Sequence, residues 1–443
     1  MGFILGAIIL GSVWGSILGC LPGLHIYNVL GAVIGCISLF PILASLPAPV
    51  IGLFFVTMIV TWSLLNSIPS ILLAAPDESA LFTVLPGQSW ALRGQARAAI
   101  ELTLVGGVIG FILCVLVLGL TGFWALPALH RVLRPHYAWI LWSVIAFMLL
   151  SEWPRTTRRG PGGWRKLAEG WMGLAVGLLT FVLSGLLGFI VMYDFGSGSR
   201  GPGANLSPAF VGLFALPGLL ITGLSSVRLP AQRLHKVSRP GRAISILGVG
   251  AGFLGGCFSA YFPGVTGGMG GLLAGHAVGI REDRSFLLSQ GASKTIYYGG
   301  GFLLLWTPGF ARVRGGGAAL FKSLGYGGGT LADFAMVLAG ALAAVGIGYL
   351  LGRPLIRGSL RLLRRLGYRR FSGLAIGLLI FVVAAQTGAW GLGIMLVATA
   401  IGLLPLLFGT RRMNALGVIL LPLACNLAGY GARVAEWLGV LKM

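Results

Sequence analysis

Leu21-Pro22-Gly23-Leu24-His25 and, about half a chain length later, Phe262-Pro263-Gly264-Val265-Thr266 each interrupt an apolar segment of membrane type. Proline removes a backbone donor and glycine relaxes the chain, so each pair frees N–H and C=O groups that lipid cannot satisfy. Interrupted helices at membrane depth persist only where they face protein or a watery cavity. Two interruptions at corresponding places in two halves form the pattern of a secondary transporter whose site lies at the repeat interface. The reading is an all-α polytopic membrane protein, with broken or re-entrant helices at the two Pro-Gly motifs.

Composition agrees. Of 443 residues, 56% are hydrophobic and 9% charged, and ten acidic side chains cannot furnish the surface of a soluble protein this long. Apolar runs recur near 2–20, 26–46, 48–68, 98–122, 136–152, 169–193 and 209–224, then 243–261, 268–280, 289–307, 327–352, 371–386, 388–409 and 414–431. Several fall short of the ~20 residues a crossing needs, so ten to twelve true transmembrane helices are expected. Only Met1 precedes the first run, with no basic region, which argues against a cleaved signal peptide.

The net charge of +22 is concentrated in three presumptive loops, around 155–166, 228–242 and 353–370. Basic loops between apolar spans orient a protein with those loops in the cytoplasm and suit an anionic leaflet. No aromatic-interleaved basic face accompanies them, so nucleic acid is not an expected partner. The bilayer is, with a multi-pass place in the cell (cytoplasmic) membrane. The five cysteines lie in apolar stretches without ligand spacing and read as small hydrophobes. No structural metal and no cofactor is expected.

The basic stretch 226–242, with Pro230 and Pro240, separates an N-terminal transmembrane repeat, 1–225, from a C-terminal one, 243–443. Each opens with a Gly-rich helix running into a Pro-Gly break, followed by a polar stretch, Asn66 to Gln95 and Arg281 to Thr295. This symmetry fits an inverted or a parallel repeat. The segment Asp194–Pro208 reads as an external connection.

Chemistry concentrates in three places. Asn66, Ser67 and Ser70 lead to the adjacent carboxylates Asp77 and Glu78 and to Ser79. Carboxylates amid apolar sequence usually face a cavity, an ion path or a partner. Asp77 or Glu78 therefore either helps coordinate Na⁺ or carries a proton, unless the stretch is an interfacial loop. After Pro22, Gly23 and Leu24 come His25 and Asn28, on one face of a restarting helix. Unpaired N–H groups at such a restart suit an anion. Pro263, Gly264, Thr266, Gly267 and Gly268 offer the same geometry in the second half, with close helix packing as the plain reading. Lys294 either neutralises an anionic solute or snorkels to the interface. The run Arg281-Glu282-Asp283-Arg284 reads as a loop whose charges pair off.

Catalytic readings fail. There is no Gly-x-Gly-Asp partner for Tyr193-Asp194, no His-Glu-x-x-His and no Walker sequence. The chain is not expected to be an enzyme. A channel, a lipid-handling protein and an enzyme on a lipid-linked substrate are the alternatives to a carrier.

At these residues the sequence resembles the large membrane subunit of tripartite tricarboxylate transporters, the TctA family, most closely its archaeal-type branch. The likeness rests on Leu21–His25, on PSILLAAPDESALFTVLPGQ from Pro69 to Gln88, and on Arg93-Gly94-Gln95 through Gly106-Gly107. It continues at Phe262–Gly264, at Asp283–Phe286 with Gly291, and at Arg411-Arg412-Met413 through Gly417 and Pro422. The resemblance implies ion-coupled uptake of a small organic anion, of di- or tricarboxylate class, by a carrier of two repeats. Na⁺ or H⁺ would be the coupling ion. It also implies a small four-span subunit and a soluble solute-binding protein as partners. The chain departs from the bacterial pattern at His25-Ile26-Tyr27 and at Pro76-Asp77-Glu78. Those departures bear on the tricarboxylate itself and on the binding protein.

Overall fold

The computed structural model describes residues 2–26, 29–30, 33, 45–153, 163–193, 206–225, 230–232, 241–310, 313, 318, 321–322, 325 and 327–440. Among these there is no strand. In chain order the principal helices are α1 (Gly2–Leu18), α2 (Ala48–Leu65), α3 (Ser67–Leu73), α4 (Val84–Leu92), α5 (Ala96–Leu133), α6 (Tyr137–Leu150) and α7 (Trp164–Tyr193). There follow α8 (Leu206–Leu224), α9 (Arg242–Tyr261), α10 (Gly267–Ala277), α11 (Asp283–Thr295), α12 (Leu331–Phe408), α13 (Gly417–Leu427) and α14 (Gly431–Trp437).

Six helical runs among the described residues are long and apolar enough to cross a membrane, or seven if the pair 412–427 and 431–437, bent by 118°, makes one span. The protein is thus all-α and polytopic. The runs are fewer than the apolar segments of the sequence because two of them join several segments. Ala96–Leu150 covers 55 residues and α12 covers 78. At ~1.5 Å per residue both exceed a ~30 Å hydrocarbon core. Within α12, Gly367 and Gly388 take φ of 72° and 64°, so the run is not one regular helix. The span expected at 26–46 falls mostly outside the described residues, as do the segments 155–162, 194–205 and 233–240.

Two compact units interleave along the chain, Met1–Arg131 with Gly218–Leu379 and Val132–Pro217 with Ile380–Met443. Compactness and internal repetition are different properties, and this division does not follow the proposed boundary at 226–242.

In the first unit, glycine spacing dictates packing. A Cβ on Gly11 or Gly15 would collide with the carbonyl oxygens of Phe54 and Met58, and one on Gly19 would lie 2.9 Å from that of Trp62. The contacts advance together along both helices, so α1 and α2 run parallel at backbone contact. α9 and α11 repeat the arrangement. Gly248 lies against the Ser285 carbonyl (2.7 Å to a built Cβ), Gly252 against Ser289, and Gly256 against Ser293 Cα (3.0 Å). Between α9 and α11 the short α10 returns antiparallel, with Gly267 on Lys294 and Gly271 on Gln290. Its 11 residues reach ~16 Å, half a crossing, so α9 and α10 form a helical hairpin.

The basic stretch 353–370, expected as a loop, lies within the helical run α12, with Gly367 left-handed near its end. Arg and Leu favour helix, and their spacing makes this one amphipathic. Gly352, Ile356, Leu360 and Leu363 are buried, whereas Arg353, Arg357, Arg361, Arg364, Arg365, Arg369 and Arg370 are exposed. The presumed loop at 281–286 likewise holds the start of α11. No ion pair joins Arg281, Glu282, Asp283 and Arg284 among the described residues; Asp283 instead accepts the Trp90 indole N–H at 3.1 Å.

In the second unit, α7 packs on α13 through Gly188 against the Val418 carbonyl and Gly417 against that of Phe181. Glu152, just beyond α6, accepts the Arg411 N–H (2.9 Å) and the Asn414 amide (2.8 Å). Burial nonetheless holds its carboxyl above the ordinary range.

Candidate functional site

The two Pro-Gly motifs end α1 and α9 in the same way. Gly23 and Gly264 take φ of 68° and 84°, a left-handed conformation that side-chain-bearing residues avoid. Phe262, preceding Pro263, is extended as that position favours. Beyond the second break, Thr266 caps α10, its Oγ1 accepting the Met269 N–H at 3.5 Å. Beyond the first, the chain is helical again at Ile26. Pro22, Leu24 and His25 are buried there, and Asn28 lies outside the described residues.

A second pair of breaks brings the carboxylates in. α2 gives way to α3 at Asn66, and α3 ends at Ala74, whose φ of 52° is the sole positive value outside glycine among the described residues. The Ala74 carbonyl rests on Gly218, where any side chain would collide. The chain then turns through Pro76, Asp77 and Glu78 inside the unit, and Glu78 is 1% exposed.

Around that turn a hydrogen-bond network runs from the first break to α11. His25 Nε2 meets Glu78 Oε2 at 2.7 Å, both side chains being buried. The Tyr298 hydroxyl lies 2.7 Å from Glu78 Oε1 and 2.9 Å from Asp77 Oδ2. Asp77 also accepts the Asn66 amide at Oδ2 and the Ala80 N–H at Oδ1, each at 2.6 Å. The Lys294 ammonium donates to Asn66 Oδ1 and, at 2.5 Å, to Ser67 Oγ. Lys294 is 1% exposed and does not snorkel. Its contact with Asn66 places the cation one side chain away from Asp77. A buried carboxylate pair costs several kcal/mol in desolvation unless it is matched in this way.

Five of the expected residues, His25, Asn66, Ser67, Asp77 and Glu78, thus meet Lys294 in one network. The glycines around the second break serve it from behind. Gly267 sits on the Lys294 backbone, 2.8 Å from a built Cβ to Cα, and Gly268 on the Ser79 carbonyl. The Gly267 carbonyl accepts the Ser293 hydroxyl at 2.5 Å. Ser70 turns back to its own helix, donating to the Asn66 carbonyl at 2.7 Å. Ser79 is buried beside the turn without a bond to the carboxylates. Pro22, Gly23, Pro263 and Gly264 shape the backbone and contribute no side-chain donor.

Sequence reasoning missed three residues. Tyr298 sits in a π turn, Ile296–Gly300, a local widening that often marks functional helices. Trp62 packs edge-on to it at 5.1 Å between ring centroids and 6.1 Å from His25. Gln290, one turn before Lys294, is fully buried, with neither amide atom hydrogen-bonded to a described residue. The signal for Gln290 was available, as a polar side chain at the same helical face as Lys294; the aromatics read as core.

The sequence profile described as the tripartite tricarboxylate transporter TctA family matches residues 5–417. An uncharacterized protein of Methanocaldococcus jannaschii is 25% identical over 296 residues, which cover 64% of this chain and 64% of that protein. The match therefore spans just under two thirds of the relative's length, and an archaeal relative accords with the archaeal-type branch. No solved structure matches. Nearly all of the sequence, including both Pro-Gly breaks and every residue of the buried network, lies within the family match, so this multi-pass membrane chain belongs to the TctA family.

Proposed function

We propose that this chain is the permease of a secondary active carrier in the cell membrane, taking up a small organic anion of di- or tricarboxylate class under a Na⁺ or H⁺ gradient. The observation that carries this reading is the buried, polar network of His25, Glu78, Tyr298, Asp77, Asn66 and Lys294. Buried ionisable groups in a membrane protein cost too much to serve packing alone and mark solute or ion paths. An anion would meet the Lys294 ammonium, the Gln290 amide, unpartnered among the described residues, and the first-turn N–H groups of α10, where the helix dipole is positive. Pro263, Gly264, Thr266, Gly267 and Gly268 would hold that helix end in place, as Pro22, Gly23 and Leu24 hold the start of the helix after His25.

The two-repeat arrangement, 1–225 and 243–443 joined by 226–242, is part of this proposal. Gly11 and Gly15 precede Pro22 by eleven and seven residues, and Gly252 and Gly256 precede Pro263 by the same intervals. Each pair supports a parallel helix at backbone contact. A shared packing ladder ending in a shared break is what duplicated halves would retain.

A soluble solute-binding protein and a small membrane subunit are the partners that a tripartite system would supply. The test is uptake of labelled citrate and smaller carboxylates into proteoliposomes holding the full chain, alone and with candidate partner subunits, under imposed Na⁺ or pH gradients. Saturable accumulation against a gradient is expected. Non-saturable flux that only equilibrates would identify a channel and overturn the carrier reading.

A further inference from the structure

We infer that the coupling ion is a proton, held in the Asp77–Tyr298–Glu78 bridge with His25 at its far end. The proton site stands on geometry; its role in coupling rests on the carrier reading above.

Hydrogen counting leads there. One phenol carries one hydroxyl proton, yet Tyr298 is within bonding distance of two carboxyl oxygens, Asp77 Oδ2 at 2.9 Å and Glu78 Oε1 at 2.7 Å. It can donate to one of them. The other contact is attractive only if that carboxyl brings its own proton and donates to the phenol oxygen.

Charge counting agrees. Among the described residues the titratable groups facing the bridge are His25 from the first break, Asp77 and Glu78 from the turn, and Lys294, Tyr297 and Tyr298 from α11 and its π turn. α2, α3 and α10 contribute Trp62, Asn66, Ser67, Ser70 and Thr266, none of which titrates. With Lys294 charged and both carboxylates ionised, the cluster carries a net charge of −1. One further proton, on either carboxyl, makes it neutral. Buried and neutral is the state of lowest desolvation cost.

Na⁺ is poorly served here. Hard cations need several free oxygen ligands. Asp77 Oδ1 and Oδ2, Glu78 Oε1 and Oε2, Asn66 Oδ1 and Ser67 Oγ each already face a donor of the chain. Among the described residues no three His, Cys, Asp or Glu side chains gather as a metal site.

The step balances simply. A proton from water on one side forms an O–H bond on a carboxyl, and the cluster becomes neutral. On the other side that bond breaks, water takes the proton, and the cluster returns to −1. An anionic solute binds better beside the neutral cluster than beside the negative one. By linkage the proton then binds better when the solute is present, which is symport.

Two measurements on the full chain test this. Infrared difference spectra of the detergent-solubilised protein between acid and alkaline pH should contain a protonated-carboxyl band. Asp77→Asn or Glu78→Gln should remove it, and Tyr298→Phe, which deletes only the bridging hydroxyl, should shift its frequency. Absence of the band, or a band untouched by all three variants, overturns the proton site. In proteoliposomes an acid-outside gradient without Na⁺ should raise citrate uptake at least about tenfold over no gradient, and Asp77→Asn should bring that ratio to about one. Accumulation driven by Na⁺ and indifferent to pH overturns the coupling. A titrating band with no uptake of any carboxylate counts against the carrier reading while the proton site stands.

Discussion

At the scale of single residues, the two break glycines make the sharpest demand. Gly23 and Gly264 lie in left-handed backbone, where a side chain costs roughly 1–2 kcal/mol, more for a β-branched one. Gly23→Val and Gly264→Val should each reduce uptake by at least about tenfold while the protein remains membrane-inserted and monodisperse, because that strain falls on the geometry of the site. Gly250→Ala, at a position with nothing within 4 Å of a Cβ, is the control and should change nothing. Normal uptake in both valine variants would separate the breaks from function. These glycines were legible in the sequence because proline and glycine together cannot be ignored in apolar surroundings. Asp77, Glu78 and Lys294 were legible for the same reason, as charges where charge is expensive. Their pairing was not. His25 and Glu78 are separated by 53 residues, and Lys294 and Asn66 by 228; no local pattern records such distances. Tyr298 stayed hidden because a tyrosine in an apolar run is ordinarily core, and its hydroxyl's partners lie 220 and 221 residues away.

Helices are held by what their glycines omit. Along α1 and α9 the small residues recur every four positions, so that backbone meets backbone in place of side chain meeting side chain. Gly15→Leu and Gly256→Leu should therefore destabilise to a similar extent, by about 1–3 kcal/mol from overpacking, and thermal unfolding of the purified protein would register it. Stability unchanged in either variant would mean that its ladder does not hold the pair together. Element identity was readable from hydropathy, yet element extent was not. The arginines of 353–370 suggested a loop because charge clusters normally lie between spans. Their spacing, with apolar residues at every third or fourth position, builds instead a helix with one buried edge. The charge cluster likewise hid that helix runs on from the preceding apolar segment into this stretch, since a change in polarity along one helix resembles a gap between two.

For the whole molecule, the exposed arginine stripe is expected on the cytoplasmic side, where basic segments collect. Single cysteines at Arg357 and Arg361, in a variant lacking the five native cysteines, should react with a membrane-impermeant thiol reagent in inverted vesicles and not in intact cells. Labelling from the outside would reverse the topology and remove the cytoplasmic assignment of the basic segments. Hydropathy alone carried the class of the molecule, since 56% hydrophobic residues with 9% charged leave a bilayer as the solvent. It could not carry the interleaving of the two compact units, which depends on contacts between distant stretches. One feature of the site has an electrical meaning. Lys294 is bonded into the same network as Asp77, so the positive charge travels wherever the negative one does. Moving an elementary charge through the membrane potential involves about 2.3 kcal/mol per 100 mV. In the proposed carrier the Lys294–Asp77 pair would move as a dipole on which voltage does little work, and only the one unmatched negative charge of the deprotonated cluster would feel the potential.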